Sequence, residues 1–263
     1  MLELQGISKT FFPGTVNERV ALAGVDLTMN EGDFVTVIGS NGAGKSTLLN
    51  ALSGKLRVDS GKILLDGTHI GGLAEHARAR FVGRVFQDPM AGTAPDLTIE
   101  QNLALAYRRG ATRGLSLGLT RGRREHFAEQ LARLELGLEH RLRAKVGLLS
   151  GGQRQALSLL MASFTNPRVL LLDEHTAALD PQRAAQVTQL TRDIVSSAGL
   201  TTLMVTHNMQ QALDLGNRLI MMHDGRIILE LSADEKAQAT VDDLLGEFGK
   251  IKGAELDDRT MLQ

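Results

Sequence analysis

Apolar positions along this chain fall into short blocks separated by glycine and polar turns, with two different periodicities. Leu2-Glu3-Leu4 and the alternating run from Leu22 to Met29 predict strands over 2–7 and 22–29. Further apolar, β-branched blocks predict buried strands at Phe34–Ile38, Ile63–Leu65, Val82–Phe86, Val169–Leu172 and Thr201–Thr206. Leu219–His223 and Arg226–Leu231 flank Asp224-Gly225, a hairpin signal. Residues 98–165 lack strand patterns. Thr98-Ile99-Glu100-Gln101 offers a helix start, Glu125–Leu136 carries Phe127, Leu131 and Leu134 near helical spacing, and Ala156–Phe164 is an apolar helix. Helices are also predicted after residue 46, over Gln182–Ser197, and once in the tail from Thr240.

This pattern predicts one α/β chain with a helical insert, divided as follows. Residues 1–87 and 166–231 form the α/β core, 88–165 the helical subdomain, and 232–263 a short helical tail. The last residues, Leu256–Thr260, are expected to fray. There are no internal repeats, and no apolar run approaches the roughly 20 residues of a membrane span.

The stretch Gly39-Ser40-Asn41-Gly42-Ala43-Gly44-Lys45-Ser46-Thr47 is the pattern G-x-x-x-x-G-K-[ST], set between a predicted strand and a predicted helix. Glycines let backbone N–H groups turn toward phosphate oxygens, and the helix N-terminus adds partial positive charge. Lys45 can then reach the β- and γ-phosphates, and Ser46 can place its hydroxyl on Mg²⁺. The chain is expected to bind a nucleoside triphosphate.

Three other segments carry chemistry. Val169–Leu172 runs into Asp173-Glu174, where an aspartate beside such a loop suits Mg²⁺ and the next carboxylate can polarise water. The strand from Thr201 ends at His207, and open parallel sheets hold their sites outside the carboxyl ends of strands. Ser150-Gly151-Gly152-Gln153 opens a helix as a second anion-binding N-terminus. It lacks a lysine, so it suits a phosphate already held elsewhere. Phe11 and Phe12 are adjacent in a predicted turn of a chain with only 3% aromatic residues. Either one stacks on a base, or both pack under the loop.

Composition narrows the partners. Lys plus Arg is 29 and Asp plus Glu is 30, a net charge of -1 that calls for no nucleic acid. Without cysteine there are no disulfides or thiolate metal sites. The N-terminus shows no signal-peptide pattern. Arg108 to Arg124 holds six arginines and no acid, which predicts a mobile basic loop. It is either a solvated surface or a contact for anionic headgroups or a partner's acidic face.

Leu149-Ser150-Gly151-Gly152-Gln153, together with the glycine loop, Asp173-Glu174 and His207, resembles the ATP-binding subunit of ABC transporters, from about Leu2 to Leu231. The resemblance implies a P-loop NTPase core with a mostly parallel sheet, an N-terminal antiparallel β region and a helical subdomain. It also implies a head-to-tail homodimer holding two ATP molecules, each between Gly39–Thr47 of one subunit and Ser150-Gly151-Gly152 of the other. Gln87 then matches the glutamine touching Mg²⁺ and water, Asp173 the Mg²⁺ carboxylate, Glu174 the general base and His207 the switch histidine. Asp180 matches the aspartate of the dimer-contact loop, and Phe11 the residue that stacks on adenine. Implied partners are integral-membrane permease subunits and an extracytoplasmic solute-binding protein, with the ATPase at the cytoplasmic face of the inner membrane. The implied task is uptake of amino acids or similar small solutes; the rival is a soluble ATPase of the same kind serving an assembly or nucleic-acid machine. Two departures stand out: phenylalanine where tyrosine is frequent, and His175 where proline is frequent.

Overall fold

The computed structural model describes residues 1–110 and 118–250. Strands β1 (Leu2–Phe11), β2 (Arg19–Met29), β4 (Ser60–Leu65) and β5 (Thr68–His69) form an antiparallel sheet in the order β2-β1-β4-β5. Strands β3 (Phe34–Gly39), β6 (Val82–Val85), β7 (Val169–Asp173), β8 (Thr201–Val205), β9 (Arg218–His223) and β10 (Arg226–Leu231) form the second sheet, in the order β10-β9-β3-β8-β7-β6. All of its pairings are parallel except β9 with β10. Strands β3, β7 and β8 are apolar on both faces because both are covered.

Helix α1 (Lys45–Ser53) lies in the layer between the sheets and buries Leu48, Leu49 and Leu52. They join Leu4, Leu22 and Ile63 from one sheet and Val35, Val37 and Leu171 from the other. One turn of helix, α2 (Glu75–Arg78), follows β5 and carries a fully buried arginine. Arg78 donates to the carbonyls of Ala51 and Leu52 in the last turn of α1, and to those of Gly71 and Leu73. A cation there complements the negative end of the α1 dipole.

The insert is helical as expected, with α3 (Ile99–Tyr107), α4 (Arg121–Ala132) and α5 (Gly151–Ser163) around a core of their own that includes Leu103, Phe127, Leu131 and Leu157. Phe127, Phe164 and Tyr107 meet edge to face there. Helix α5 is buried on nearly all sides: Leu157 faces the insert, while Leu159 and Ala162 pack with Val85, Leu170 and Leu172 of the parallel sheet. The insert and the core therefore share one helix. Helices α6 (Pro181–Ala198), α7 (Met209–Asp214) and α8 (Ala233–Gln238) complete the chain, with a further helical stretch at 241–250.

Several boundaries differ from the sequence reading. Antiparallel pairing carries β1 on to Phe11 opposite Arg19, so Phe11 ends a strand and the turn begins at Phe12. The basic segment is not wholly a loop. Thr120 caps α4, which places Arg121, Arg123 and Arg124 on a helix, with Arg121 paired to Glu125 and Arg124 to Glu100. Residues 111–117 of that segment, and Leu256–Thr260 of the tail, lie outside the described residues. The tail holds two helical stretches where one was expected, because a capping box between Ser232 and Glu235 starts α8 first. Among the described residues no helix is long and apolar enough to cross a membrane.

Candidate active site

Strands β3, β7 and β8 run parallel and end on the same edge of the sheet. That edge brings the glycine loop, Glu174 and His207 together. The loop leaves β3 at Gly39 and enters α1 through Gly44, which has a φ of +101 and caps the helix with no side chain. A Cβ at Gly44 would stand 2.3 Å from the Ala21 carbonyl oxygen, so only glycine fits. No side chain caps the first-turn N–H groups of α1, a geometry that suits an anion. Lys45 is buried and folds back, its ammonium donating to the carbonyls of Gly39 and Ser40. Burial pushes its pKa down, and the Glu174 carboxylate partly offsets that.

A concavity is lined by Phe11, Arg19, Ala21, the loop from Asn41 to Thr47, and Glu174. Phe11 is thus placed beside the loop, while Phe12 is 66% exposed and outside the concavity. Arg19 carried no signal in the sequence. It enters because pairing across the hairpin sets it opposite Phe11, and its Nη2 donates to the Gly42 carbonyl at 2.9 Å.

Asp173 is the last residue of β7, and its Oδ2 accepts from Arg84 Nη2 at 2.8 Å. Glu174 follows with a φ of +43, a left-handed conformation disfavoured for a residue with a Cβ. Its N–H still donates to the Val205 carbonyl, so the strand pairing persists one residue past the turn. Glu174 Oε2 stands 3.2 Å from His207 Nδ1. Besides facing the glycine loop, Glu174 lines a second concavity with His207, Thr206 and Gln211. Gln87 is exposed two residues past β6, and Gln155 of α5 donates to the Phe86 carbonyl just before it, at 3.2 Å.

The other predicted group lies apart. Ser150 caps α5, accepting from the Gln153 N–H while Gln153 Oε1 accepts from the Ser150 N–H. Ser150, Gly152 and Gln153 line a separate hollow with Arg183, and Asp180 caps α6 over the Arg183 N–H at 3.1 Å. None of these lines the concavity of the glycine loop. His175 is fully buried and turned away from the edge. Its Nε2 lies 2.9 Å from Thr191 Oγ1, whose own proton goes to the Val187 carbonyl, so the ring donates. Burial pushes its pKa down to about 4.

The described residues hold no cluster of three or more His, Asp or Glu side chains able to cage a metal. The candidate donors are the Ser46 hydroxyl, the Asp173 carboxylate and the Gln87 amide. Of these only Ser46 lines the concavity of the glycine loop; hydroxyl, carboxylate and amide oxygens are hard donors of the kind Mg²⁺ takes together with waters and substrate phosphates.

The family described as ABC transporter matches residues 22–177. Among curated proteins, a tyrosine transport ATP-binding protein of Clostridioides difficile is 46% identical, over 94% of this chain and 98% of its own length. A methionine import ATP-binding protein of Rhizobium johnstonii is 37% identical over 80% of this chain and 56% of its own length. Among solved structures, a dimeric ATP-binding cassette in a post-hydrolysis state bound to ADP and Pi superposes with a TM-score of 0.76 at 31% identity, covering 89% of this chain and 99% of that one.

Proposed function

The chain belongs to the ABC transporter family of ATP-binding proteins, and on that premise we propose that it hydrolyses ATP to power solute uptake through a membrane permease. The observation that carries this reading is the meeting of Lys45, Glu174 and His207 at the ends of three parallel strands.

Phe11 stacks on the adenine, and the N–H groups from Asn41 to Thr47 hold the phosphates with Lys45. Ser46, Asp173 and Gln87 hold Mg²⁺, which neutralises charge on the phosphates when bound. Glu174 takes the proton of the attacking water, and His207 fixes Glu174 and reaches toward the γ-phosphate. Ser150, Gly152 and Gln153 line a separate hollow of the same chain, and Asp180 caps the neighbouring helix α6. A second copy, packed head to tail, supplies them to close the site. That arrangement explains why this helix end needs no lysine: the phosphate it meets is already held. Two ATP molecules then join the dimer, and loss of the γ-phosphate releases it.

The ATP-binding proteins for tyrosine transport and methionine import among the relatives support an amino acid or a similar small organic solute as the cargo. Permease subunits at the cytoplasmic face of the inner membrane, with an extracytoplasmic solute-binding protein, complete the system. The test is an affinity pull-down of the Glu174→Gln protein with ATP from solubilised native membranes. A multi-span permease in stoichiometric amount is expected; a wholly soluble set of partners would overturn the transport reading.

A further inference from the structure

Arg84 interrupts the apolar run of β6, and the mechanism above makes no use of it. Its Nη2 donates to Asp173 Oδ2 at 2.8 Å, and its Nη1 to Asn50 Oδ1 at 2.7 Å and Ser53 Oγ at 3.2 Å. The guanidinium also lies over the Phe86 ring, 4.8 Å from its centroid. Arg84 and Asp173 are 10% and 14% exposed, so this is a largely buried ion pair. Arg84 Nε is buried without an acceptor, so the group's position is set by Asp173 and α1 rather than by full satisfaction of its own donors.

A buried ion pair gives little net stability, because desolvation offsets most of the attraction. Its effect on a third charge is larger. Asn50 and Ser53 hold the guanidinium on α1, so it cannot simply swing away when a cation approaches Asp173. We propose that Arg84 is a positioning residue that holds the Asp173 carboxylate in competition with the metal arriving with the nucleotide, and so loosens the metal's hold. The proposal rests on the reading of Asp173 as the metal-facing carboxylate. With Oδ2 engaged by Arg84, chiefly Oδ1 is left to a metal-bound water. A unit positive charge this close to the site opposes a divalent cation enough to change its affinity on the order of tenfold. The benefit is release: product leaves with its metal more readily when the carboxylate has a resident cation to return to.

The test is a Mn²⁺ titration read by electron paramagnetic resonance, on the full chain saturated with ATP in a Glu174→Gln background. Arg84→Met is expected to bind Mn²⁺ about tenfold more tightly, equal to ~1.4 kcal/mol. Arg84→Gln keeps hydrogen bonding toward α1 while losing the charge, and should tighten binding similarly even if Arg84→Met does not fold. Arg84→Lys keeps the charge and should stay near the parent. Unchanged or weaker Mn²⁺ binding in a folded, uncharged variant overturns the proposal and leaves Arg84 a structural clamp. Asp173→Asn separates the two readings: if it leaves Mn²⁺ affinity untouched, the assignment of Asp173 itself fails.

Discussion

Glu174 Oε2 and His207 Nδ1 stand 3.2 Å apart, joining the ends of β7 and β8 beside the glycine loop. Glu174 makes this contact from a left-handed backbone conformation at the strand end, with a φ of +43. A conformation of this kind persists only where the surroundings hold it, and such residues gather at functional sites. Substitution to glutamine keeps size and hydrogen bonding but removes the proton acceptor. Glu174→Gln should lose at least about 100-fold in turnover. It should retain ATP binding and accumulate as an ATP-bound dimer, seen by gel filtration with and without ATP. Near-normal steady-state hydrolysis would remove Glu174 from the role of base.

Phe11 and Phe12 are neighbours in sequence but separate in space. Phe11 lines the concavity of the glycine loop, and Phe12 points out at a φ of +51. Phe11→Ala should weaken ATP binding by roughly 5- to 10-fold, the loss of about one aromatic stacking contact. Phe12→Ala should leave affinity unchanged. Equilibrium titration with a fluorescent ATP analogue compares the two, and a larger effect at Phe12 would reverse the assignment.

Much of this was legible in the sequence for a physical reason. Buried parallel strands must be apolar throughout, and a phosphate loop must carry glycine and lysine at set spacing, so β3, β7, β8 and the loop 39–47 announce themselves locally. Helices α2 and α7 are too short to show a period. The arginines are harder. Arg19 acquires its place from hairpin register, Arg78 from the end of α1, and Arg84 from the neighbouring strand β7, 89 residues on in the chain. Each is long-range, and nothing within a few residues signals it. The start of α4 is obscured by a run of arginines around a threonine cap, whereas the Ser232 to Glu235 capping box is a local signal, four residues long, for the start of α8.

Lys236 fastens the C-terminal helices to the core. Its ammonium is buried and donates to the carbonyls of Leu215, Gly216 and Arg218 and to Thr36 Oγ1. Burial pushes its pKa down to about 8, with Asp214 opposing the shift. Lys236→Met leaves buried carbonyls without a donor, at about 1–3 kcal/mol. The loss should be local, appearing as faster proteolysis between Leu231 and Lys236 before the core is cut. Equal cleavage rates in parent and variant would mean that α8 is held by its apolar contacts alone.

His175 supplies a pH dependence with a definite sign. Burial pushes its folded pKa down to about 4, below the ordinary imidazole value of 6.5, so the folded state binds fewer protons than the unfolded one. Stability is therefore fully present above pH ~6.5 and declines toward pH ~4, by about 1.4 kcal/mol per pH unit and about 3 kcal/mol in all. The ring is held as a neutral donor to Thr191, and charging it in place would require breaking into the layer between β7 and α6. Urea unfolding at pH 7.5, 6.0 and 5.0 measures the slope. Other groups titrate in that range, so the informative quantity is the difference from His175→Gln, which keeps an amide donor but cannot charge. The parent should lose stability relative to the variant as pH falls below 6.5. Curves that stay parallel to pH 5 would show that His175 charges as readily in the folded protein as in the unfolded chain.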